Sequence, residues 1–245
     1  MPLSFRNLSR VALDWLRNAD LALLLGLLVA VLGLWLFLEL ADEVMEGETH
    51  AADERLLLAL RNPADPADPL GPPWVEEAVR DLTALGGVAI LTLMIAAVVG
   101  YLLITRKYQA MWLVLIATGG GQLLSWLLKD WFDRPRPELV AHLVQVSSPS
   151  FPSGHALMSA VVYLTLGALL ARLADQRRVK LYFLAVAALL TLLVGLSRVY
   201  LGVHYPTDVL AGWSAGLVWA TLCWLAARSL QRRGAVERSA AGEGA

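Results

Sequence analysis

The sequence predicts an all-α membrane protein: a bundle of six transmembrane helices with a short interfacial helical segment in the first outer loop. Composition is the first reason, because 58% of the 245 residues are hydrophobic and only 17% are charged, whereas soluble domains average about 45–50% apolar and about 25% charged residues. The second reason is a series of long apolar runs, and the third is the recurrence of basic residues in alternate loops. A net charge of −1 argues against a global positive field of the kind that recruits nucleic acid.

Six apolar runs are long enough, or nearly so, to cross about 30 Å of hydrocarbon at about 1.5 Å per residue. They are residues 21–40, 82–104, 110–128, 156–173, 181–196 and 209–227. We expect one membrane-embedded domain over residues 1–233, followed by a disordered tail over residues 234–245 that is rich in Gly, Ala and Glu. Several runs contain glycines, which let helices approach closely in lipid. These are Gly119, Gly120, Gly121, Gly167, Gly195, Gly212 and Gly216.

Basic residues assign the loops to the two sides of the membrane. They precede the first run, separate the second from the third and the fourth from the fifth, and follow the sixth, so alternating helices put all four groups on one side. The positive-inside rule makes that side cytoplasmic, which predicts a bacterial inner-membrane protein with both termini in the cytoplasm. The groups are Arg6, Arg10 and Arg17; Arg106 and Lys107; Arg172, Arg177, Arg178 and Lys180; and Arg228, Arg232, Arg233 and Arg238.

The first run and the loop after it have patterns of their own. The run is too long for the apolar core of a signal peptide, so we expect a retained membrane anchor. In the loop, residues 52–61 place Leu56, Leu57 and Leu60 beside charged neighbours, which suits a short helix at the membrane interface. A proline-rich turn follows, and helix is expected to resume near Trp74.

Three clusters of polar residues lie at the ends of the apolar runs, and the alternation of the helices puts all three on the outer side. Together they bring three cations, two histidines and one carboxylate to one face of the bundle. Those groups are suited to holding a phosphate and displacing it. The clusters are Lys129 with Arg136 and Pro137; Pro152, Ser153, Gly154 and His155; and Ser197 and Arg198 with His204 and Asp208.

The second cluster directly precedes an apolar helix. Ser153 is a candidate N-cap residue, and the free amides and dipole of a helix N-terminus favour a bound anion. Gly154 lets the backbone approach that anion closely. His155 would lie beside it, where a protonated imidazole can donate a proton to a leaving oxygen.

The third cluster pairs an imidazole with a carboxylate. Pro206 fits the first turn of the last helix, so Asp208 lies in that turn, four residues after His204. A carboxylate there can accept a hydrogen bond from one imidazole nitrogen and leave the other as a nucleophile. Positive charge for a phosphoryl group would come from Arg198, Lys129 and Arg136, with Arg134 as an alternative to Arg136.

These three motifs resemble the signature of the type 2 phosphatidic acid phosphatase (PAP2) superfamily. The flanking Phe151 and the run from Gly202 to Asp208 resemble its branch of bacterial integral-membrane lipid phosphatases. The resemblance implies that His204 attacks phosphorus to form a phosphohistidine, that Asp208 orients it, and that His155 protonates the leaving group and later activates water. It implies no metal and no cofactor. It assigns phosphate binding to Lys129, Arg136, Ser153, Gly154 and Arg198.

The leading hypothesis is therefore an integral-membrane phosphatase that acts at the outer leaflet on a membrane lipid phosphate or diphosphate. Candidate substrates are undecaprenyl diphosphate, phosphatidylglycerophosphate, phosphatidic acid and diacylglycerol diphosphate, with undecaprenyl diphosphate slightly favoured because its head group is presented outside for recycling. A non-catalytic lipid-binding or transport protein on the same fold and vanadate-dependent haloperoxidase chemistry stay open as alternatives. The first outer loop is either a solvated connector or a lip for lipid entry, and the oligomeric state is undetermined. His50 and His142 are expected to be solvated, and Cys223 to be a packing residue.

Fusions to a reporter enzyme test the predicted orientation. Because the basic loops are expected inside, a reporter enzyme that functions only in the cytoplasm should be active when it is fused after Ala227. A reporter enzyme that functions only in the periplasm should be active when it is inserted near Asp65. The opposite pattern would place the three clusters at the inner leaflet.

Overall fold

A computed structural model describes residues 21–232, and most of these residues form helices. The expected basic N-terminal segment and the expected tail over residues 234–245 lie outside the described residues. Two short strands, β1 (Arg61–Asn62) and β2 (Asp65–Pro69), interrupt the helical order. The helices are α1 (Leu21–Glu46), α2 (His50–Leu58), α3 (Pro73–Ala84), α4 (Val88–Ile104), α5 (Tyr108–Phe132), α6 (Gly154–Leu173), α7 (Arg177–Tyr200) and α8 (Pro206–Arg232).

The described residues contain five helices that are long and apolar enough to cross a membrane, namely α1, α5, α6, α7 and α8. The number rises to six if α3 and α4, which meet at a bend of 45°, are counted as one broken span. The helical membrane fold that the sequence predicts is therefore present, with five or six spans. We call the end of the bundle at which α5 and α7 finish and α6 and α8 begin the site end.

The second predicted span, residues 82–104, is not one straight helix. Its apolar part, α4, has 17 residues and reaches only about 26 Å of the ~30 Å hydrocarbon core. Gly86 lies at the break, where an added Cβ would come within 2.3 Å of Val194 and 3.2 Å of His155. Because Gly86 has no side chain, the backbone at the break can pass close to α7 and to the first turn of α6, where a Cβ atom would collide.

A two-stranded antiparallel sheet in the loop between α1 and α3 departs from the all-α prediction. Arg61 pairs with Pro69, and Asn62 pairs with Asp65. The proline-rich segment was predicted as a turn, but proline also suits extended backbone in a short edge strand. The Asn62 side chain closes the connection, because its Oδ1 accepts a hydrogen bond from Ala64 N at 3.1 Å.

The short helix predicted over residues 52–61 is present as α2, which begins and ends slightly earlier. Leu57 is fully buried, whereas Leu56 is 57% exposed, so the helix has one side on the protein and an apolar side facing outward. Such a side suits contact with lipid head groups. Helix α2 contacts α8, and α3 contacts α7. The loop elements therefore lie over the site end.

Helix α6 is surrounded by other helices, since it contacts α4, α5, α7 and α8. Leu157, Val161 and Val162 on this helix are fully buried, in one cluster with Phe151 and Val194. Helices in lipid associate through close packing, because lipid tails are as apolar as the side chains themselves. The position of α6 is therefore fixed by the shapes of its neighbours.

Two glycines allow α8 to approach α6. A Cβ on Gly212 would lie 2.6 Å from the carbonyl oxygen of Ser153, and a Cβ on Gly216 would lie 2.6 Å from that of Leu157. Real Cβ atoms essentially never come within 3.0 Å of another heavy atom, so the approach requires glycine at both positions. This pair of glycines therefore acts within the chain. By contrast, no atom of another part of residues 21–232 lies within 4 Å of a Cβ placed on Gly119.

Replacing Gly212 by alanine tests this contact. The added methyl group meets backbone, which cannot rotate away, so we expect a loss of about 1–3 kcal/mol of stability and a fall in activity. Thermal unfolding in detergent measures the first effect. Gly119→Ala is the matched control and should not lower the melting temperature, because alanine favours helix where its Cβ has room; equal losses in the two variants would contradict the proposed packing.

Candidate active site

All eight residues that the sequence singles out for the site lie at the site end. They come from four helices and two connections, which the antiparallel order of the helices brings together. Lys129 is in the last turn of α5 and Arg136 follows it; Ser153 precedes α6, which begins with Gly154 and His155; Arg198 is in the last turn of α7; His204 lies between α7 and α8, and Asp208 is in the first turn of α8.

Ser153 caps α6 and also joins the second cluster to the third. Its Oγ accepts a hydrogen bond from Ala156 N at 3.5 Å, which confirms the N-cap prediction. Its own backbone N–H donates to the carbonyl oxygen of Asp208 at 2.9 Å. The start of α6 and the start of α8 are therefore hydrogen-bonded to each other, and the free amides of α6 lie beside the His204 loop.

His204 and Asp208 form the predicted pair. Nδ1 of His204 lies 3.3 Å from Oδ2 of Asp208, and the side chains are 2% and 0% exposed. The backbone N–H of Tyr205 donates to the same carboxylate oxygen at 2.9 Å. A carboxylate on Nδ1 favours the tautomer in which that nitrogen carries the proton. Nε2 then carries the lone pair, which accepts a hydrogen bond from Nη1 of Arg136 at 3.2 Å in this structure.

Burial keeps His204 neutral. It lowers the pKa of the imidazole from 6.5 to about 3, although the hydrogen bond and the negative charge of Asp208 act in the opposite direction. Arg136 and Lys129 lower the pKa further through their positive charges. At neutral pH the imidazole is therefore unprotonated, as a nucleophile must be.

Ser150 is a site residue that sequence reasoning missed. It is fully buried; its Oγ donates to Oδ2 of Asp208 and lies 3.4 Å from Nδ1 of His204. The hydroxyl thus holds the carboxylate oxygen that faces the imidazole. A serine in a connector rich in serine and proline carries no signal that distinguishes it from its neighbours.

The three cations surround His155 and the start of α6. The charges of Lys129, Arg136 and Arg198 all act on the imidazole of His155. A Cβ on Gly154 would lie 3.3 Å from Cε of Lys129, so the lysine lies directly against this glycine. The positive groups therefore converge on the helix N-terminus that the sequence predicts as an anion site.

Protein oxygens hold these cations in place. Nζ of Lys129 donates to the carbonyl oxygen of Pro149, and Arg136 donates to the carbonyl oxygen of Val203 at 2.5 Å. Arg198 is 3% exposed; its Nη1 donates to Oγ1 of Thr83 at 2.9 Å. Its buried Nε has no hydrogen-bond partner among the described residues, which leaves one donor available for an anion. Thr83 is a second residue that the sequence analysis did not find.

Arg134, the alternative to Arg136, lies elsewhere. Its Nη1 donates to Oδ1 of Asp208 at 2.6 Å, and its Nη2 donates to Oδ2 of Asp53 at 3.0 Å. Arg134 therefore contacts the carboxylate that faces the imidazole, whereas Arg136 contacts the imidazole itself. Asp53 was also missed, because nothing in the acidic first loop separates it from the other carboxylates.

The remaining predicted residues lie outside this arrangement. His50 pairs with Glu54 at 3.0 Å and is exposed, and exposed His142 contacts the carbonyl oxygen of Pro137 at 2.6 Å. Cys223 is half-buried within α8. Among residues 21–232, no group of three or more His, Cys, Asp or Glu side chains is arranged to hold a metal ion.

Comparison with known proteins gives consistent matches. The sequence model described as the PAP2 superfamily matches residues 109–232. Phosphatidylglycerophosphatase B of Bacillus subtilis is 37% identical over 183 residues, which are 74% of this chain and 86% of that protein. The putative undecaprenyl-diphosphatase YbjG of Escherichia coli is 33% identical over 119 residues, 47% of this chain and 56% of that protein. The crystal structure of a transmembrane PAP2-type phosphatidylglycerolphosphate phosphatase from Bacillus subtilis superposes with a TM-score of 0.71 and 33% identity, covering 83% of this chain and 96% of that one.

The pH dependence of phosphate release tests the state of His204. Because burial lowers its pKa, the acidic limb of kcat/KM should lie well below pH 6.5, with activity lost only as the imidazole takes up a proton. A lipid monophosphate and a lipid diphosphate should give the same limb if the limb belongs to the protein. A limb at or above pH 6.5 with both substrates would contradict the neutral, buried imidazole.

Proposed function

The chain belongs to the PAP2 superfamily, and on this premise we propose that it hydrolyses a lipid phosphate or diphosphate through a phosphohistidine on His204, at the outer leaflet of a bacterial inner membrane. Phosphatases of this family are hydrolases that act on lipid phosphates. The observation that carries the proposal is the buried His204–Asp208 pair beside three cations and the N-terminus of α6.

The first step transfers the phosphoryl group to the protein. The lone pair on Nε2 of His204 attacks phosphorus, and the bond from phosphorus to the leaving oxygen breaks. His155 donates to that oxygen a proton that the negative charge of the bound phosphate holds on its imidazole against the three surrounding cations. Asp208 accepts the hydrogen bond from Nδ1–H and stabilises the positive charge that the attacking ring gains.

The second step releases inorganic phosphate. His155, now neutral, takes a proton from a water molecule as the water oxygen attacks phosphorus. The N–P bond breaks and its electron pair returns to Nε2, which regenerates both histidines. Neither step uses a metal or a cofactor, because the cations of the chain supply the positive charge.

The phosphate oxygens are held by the groups that converge on the start of α6. Lys129, Arg136 and Arg198 supply positive charge, and the buried Nε of Arg198 supplies an unused donor. Gly154 presents its backbone amide at the helix N-terminus, and Ser153, whose own amide is bonded to Asp208, offers its hydroxyl. Donors of this kind each contribute roughly 3–4 kcal/mol to a transition state.

The position of the site supports a membrane lipid as substrate. The site lies at one end of a membrane-spanning bundle, so a head group can reach it while the lipid tails stay in the bilayer. The charge pattern of the loops supports the outer leaflet and cytoplasmic termini. We propose a single functional domain over residues 1–233.

Among candidate lipids we rank phosphatidylglycerophosphate first and undecaprenyl diphosphate second, because the relative that matches 74% of the chain is named for phosphatidylglycerophosphate.

The two alternative functions, lipid binding or transport without catalysis and haloperoxidase chemistry, require other groups at the site than phosphate hydrolysis does. A protein that only binds or transports lipids has no use for a nucleophile with an orienting carboxylate. Haloperoxidase chemistry would require vanadate in place of phosphate, and an assay for halide oxidation with added vanadate would reveal it.

His204→Ala tests the covalent intermediate. With a lipid substrate labelled with ³²P in its phosphate, the parent protein quenched in alkali should retain label that is lost in acid, as expected of phosphohistidine. The variant should retain no label and lose at least about 1,000-fold in kcat. His50→Ala removes an exposed histidine and should behave as the parent; full phosphate release by His204→Ala would refute the mechanism.

A panel of purified lipids tests the substrate class. Phosphate release in detergent should be fastest with phosphatidylglycerophosphate, followed by undecaprenyl diphosphate, and slower with phosphatidic acid and diacylglycerol diphosphate. Comparison of kcat/KM values decides the order. Equal activity on a water-soluble phosphate ester would argue against a lipid substrate.

A further inference from the structure

We propose that Arg134 and Asp53 are positioning residues for catalysis: they hold the Asp208 carboxylate in the orientation in which it bonds His204. The inference rests on the proposed function, in which His204 is the nucleophile. It also makes α2, in the first outer loop, part of the catalytic apparatus, because that helix supplies Asp53.

The guanidinium of Arg134 bridges two buried carboxylates. Nη1 lies 2.6 Å from Oδ1 of Asp208, and Nη2 lies 3.0 Å from Oδ2 of Asp53. The Arg134 side chain is 11% exposed, whereas the two carboxylates are 0% and 1% exposed. A planar fork with fixed angles between its donors holds two acceptors in one relative position, which a single ammonium group cannot do.

Thr207 closes the arrangement into a ring. Its backbone N–H donates to Oδ1 of Asp53 at 3.0 Å, and its hydroxyl donates to Oδ2 of Asp53 at 2.5 Å. Nη1 of Arg134 also lies 3.0 Å from the Thr207 hydroxyl. Thr207 directly precedes Asp208, so Asp53 holds both the backbone before the catalytic carboxylate and the guanidinium that binds it.

The two oxygens of Asp208 thus have separate tasks. Oδ1 accepts the hydrogen bond from Arg134, which leaves Oδ2 to face Nδ1 of His204, together with Ser150 and the amide of Tyr205. Without Arg134 the carboxylate loses its partner at Oδ1, and only the contacts of Oδ2 then restrain its rotation about the Cβ–Cγ bond. The hydrogen bond to Nδ1 would then lose its alignment, and with it the orientation of the nucleophile.

Arg134 is not placed to bind phosphate. Both of its terminal nitrogens are engaged by carboxylates or by Thr207, and its guanidinium carbon lies 4.4 Å from the ring centroid of Tyr205. The ring covers one face of the guanidinium. Phosphate binding by the three other cations should therefore survive changes at Arg134.

The test measures kcat separately from phosphate affinity. Arg134→Lys keeps the charge but cannot bridge two carboxylates, Asp53→Asn weakens one partner, and Thr207→Val removes only a hydroxyl. We expect kcat on a lipid phosphate to fall about 100-fold, the order of loss that a misplaced reacting group causes, while the inhibition constant for inorganic phosphate stays within about twofold. Thr207→Ser restores the hydroxyl and should restore most of kcat.

Matched controls remove the same groups from exposed ion pairs. Arg80→Gln removes a guanidinium that pairs with Glu76, and Glu54→Gln removes the carboxylate next to Asp53 on α2, which pairs with His50. Both should keep the parental kcat. Guanidinium added to Arg134→Ala should raise its kcat, which a purely structural role does not predict.

Three results would overturn the proposal. The first is a kcat within about threefold of the parent in both Arg134→Lys and Thr207→Val. The second is a parallel fall of kcat, phosphate affinity and melting temperature in all variants, since this would show a role in folding alone; if Arg134→Lys does not fold, Thr207→Val and Thr207→Ser decide. The third is full activity in His204→Ala, which would refute the proposed function itself. If His204→Ala is inactive and the Arg134 variants are active, only the positioning role is refuted.

Discussion

The contact between the start of α6 and the start of α8 is the constraint on which the rest of the site depends. The amide of Ser153 donates to the carbonyl oxygen of Asp208 at 2.9 Å, and Gly212 leaves no room for a side chain against Ser153. This contact brings a helix N-terminus, which attracts an anion, beside the imidazole proposed to attack it. Apolar side chains gain little free energy when they exchange lipid tails for protein neighbours. Such a close approach of helices in lipid therefore depends on small residues and on backbone hydrogen bonds.

Buried charge is the main cost of this arrangement. Lys129, Arg136 and Arg198 repel one another at the start of α6, and burial alone lowers the pKa of Arg136. Backbone carbonyl groups and the Thr83 hydroxyl hold the three cations without neutralising them. The surplus of positive charge is suited to bind a phosphate dianion, and it also disfavours protonation of His204. The same charges thus favour both the proposed binding of phosphate and the neutral state of the proposed nucleophile, His204.

The loop between α1 and α3 contacts the candidate site more closely than its sequence indicates. Composition describes it as an acidic, proline-rich connector, and its short helix was predicted from three leucines near charged residues. The structure shows that one acidic residue of this helix, Asp53, faces inward, where it is 1% exposed and bound to Arg134. The second predicted span likewise looks like one apolar run in the sequence, yet the structure breaks it between α3 and α4, where Gly86 lies against His155 and Val194.

The residue pattern was sufficient to predict the helical membrane fold and the family and to single out eight residues that the structure brings to one end of the bundle. These depend on short-range regularities: apolar runs of membrane length, a serine before a helix, and an imidazole four residues before a carboxylate. It did not reveal Ser150, Thr83 or Asp53, and it left the choice between Arg134 and Arg136 open. Asp53 and Arg134 are 81 positions apart, and Thr83 and Arg198 are 115 apart. Which of many similar polar side chains meet across such separations depends on how the helices pack, and packing depends on shape complementarity that no local pattern records.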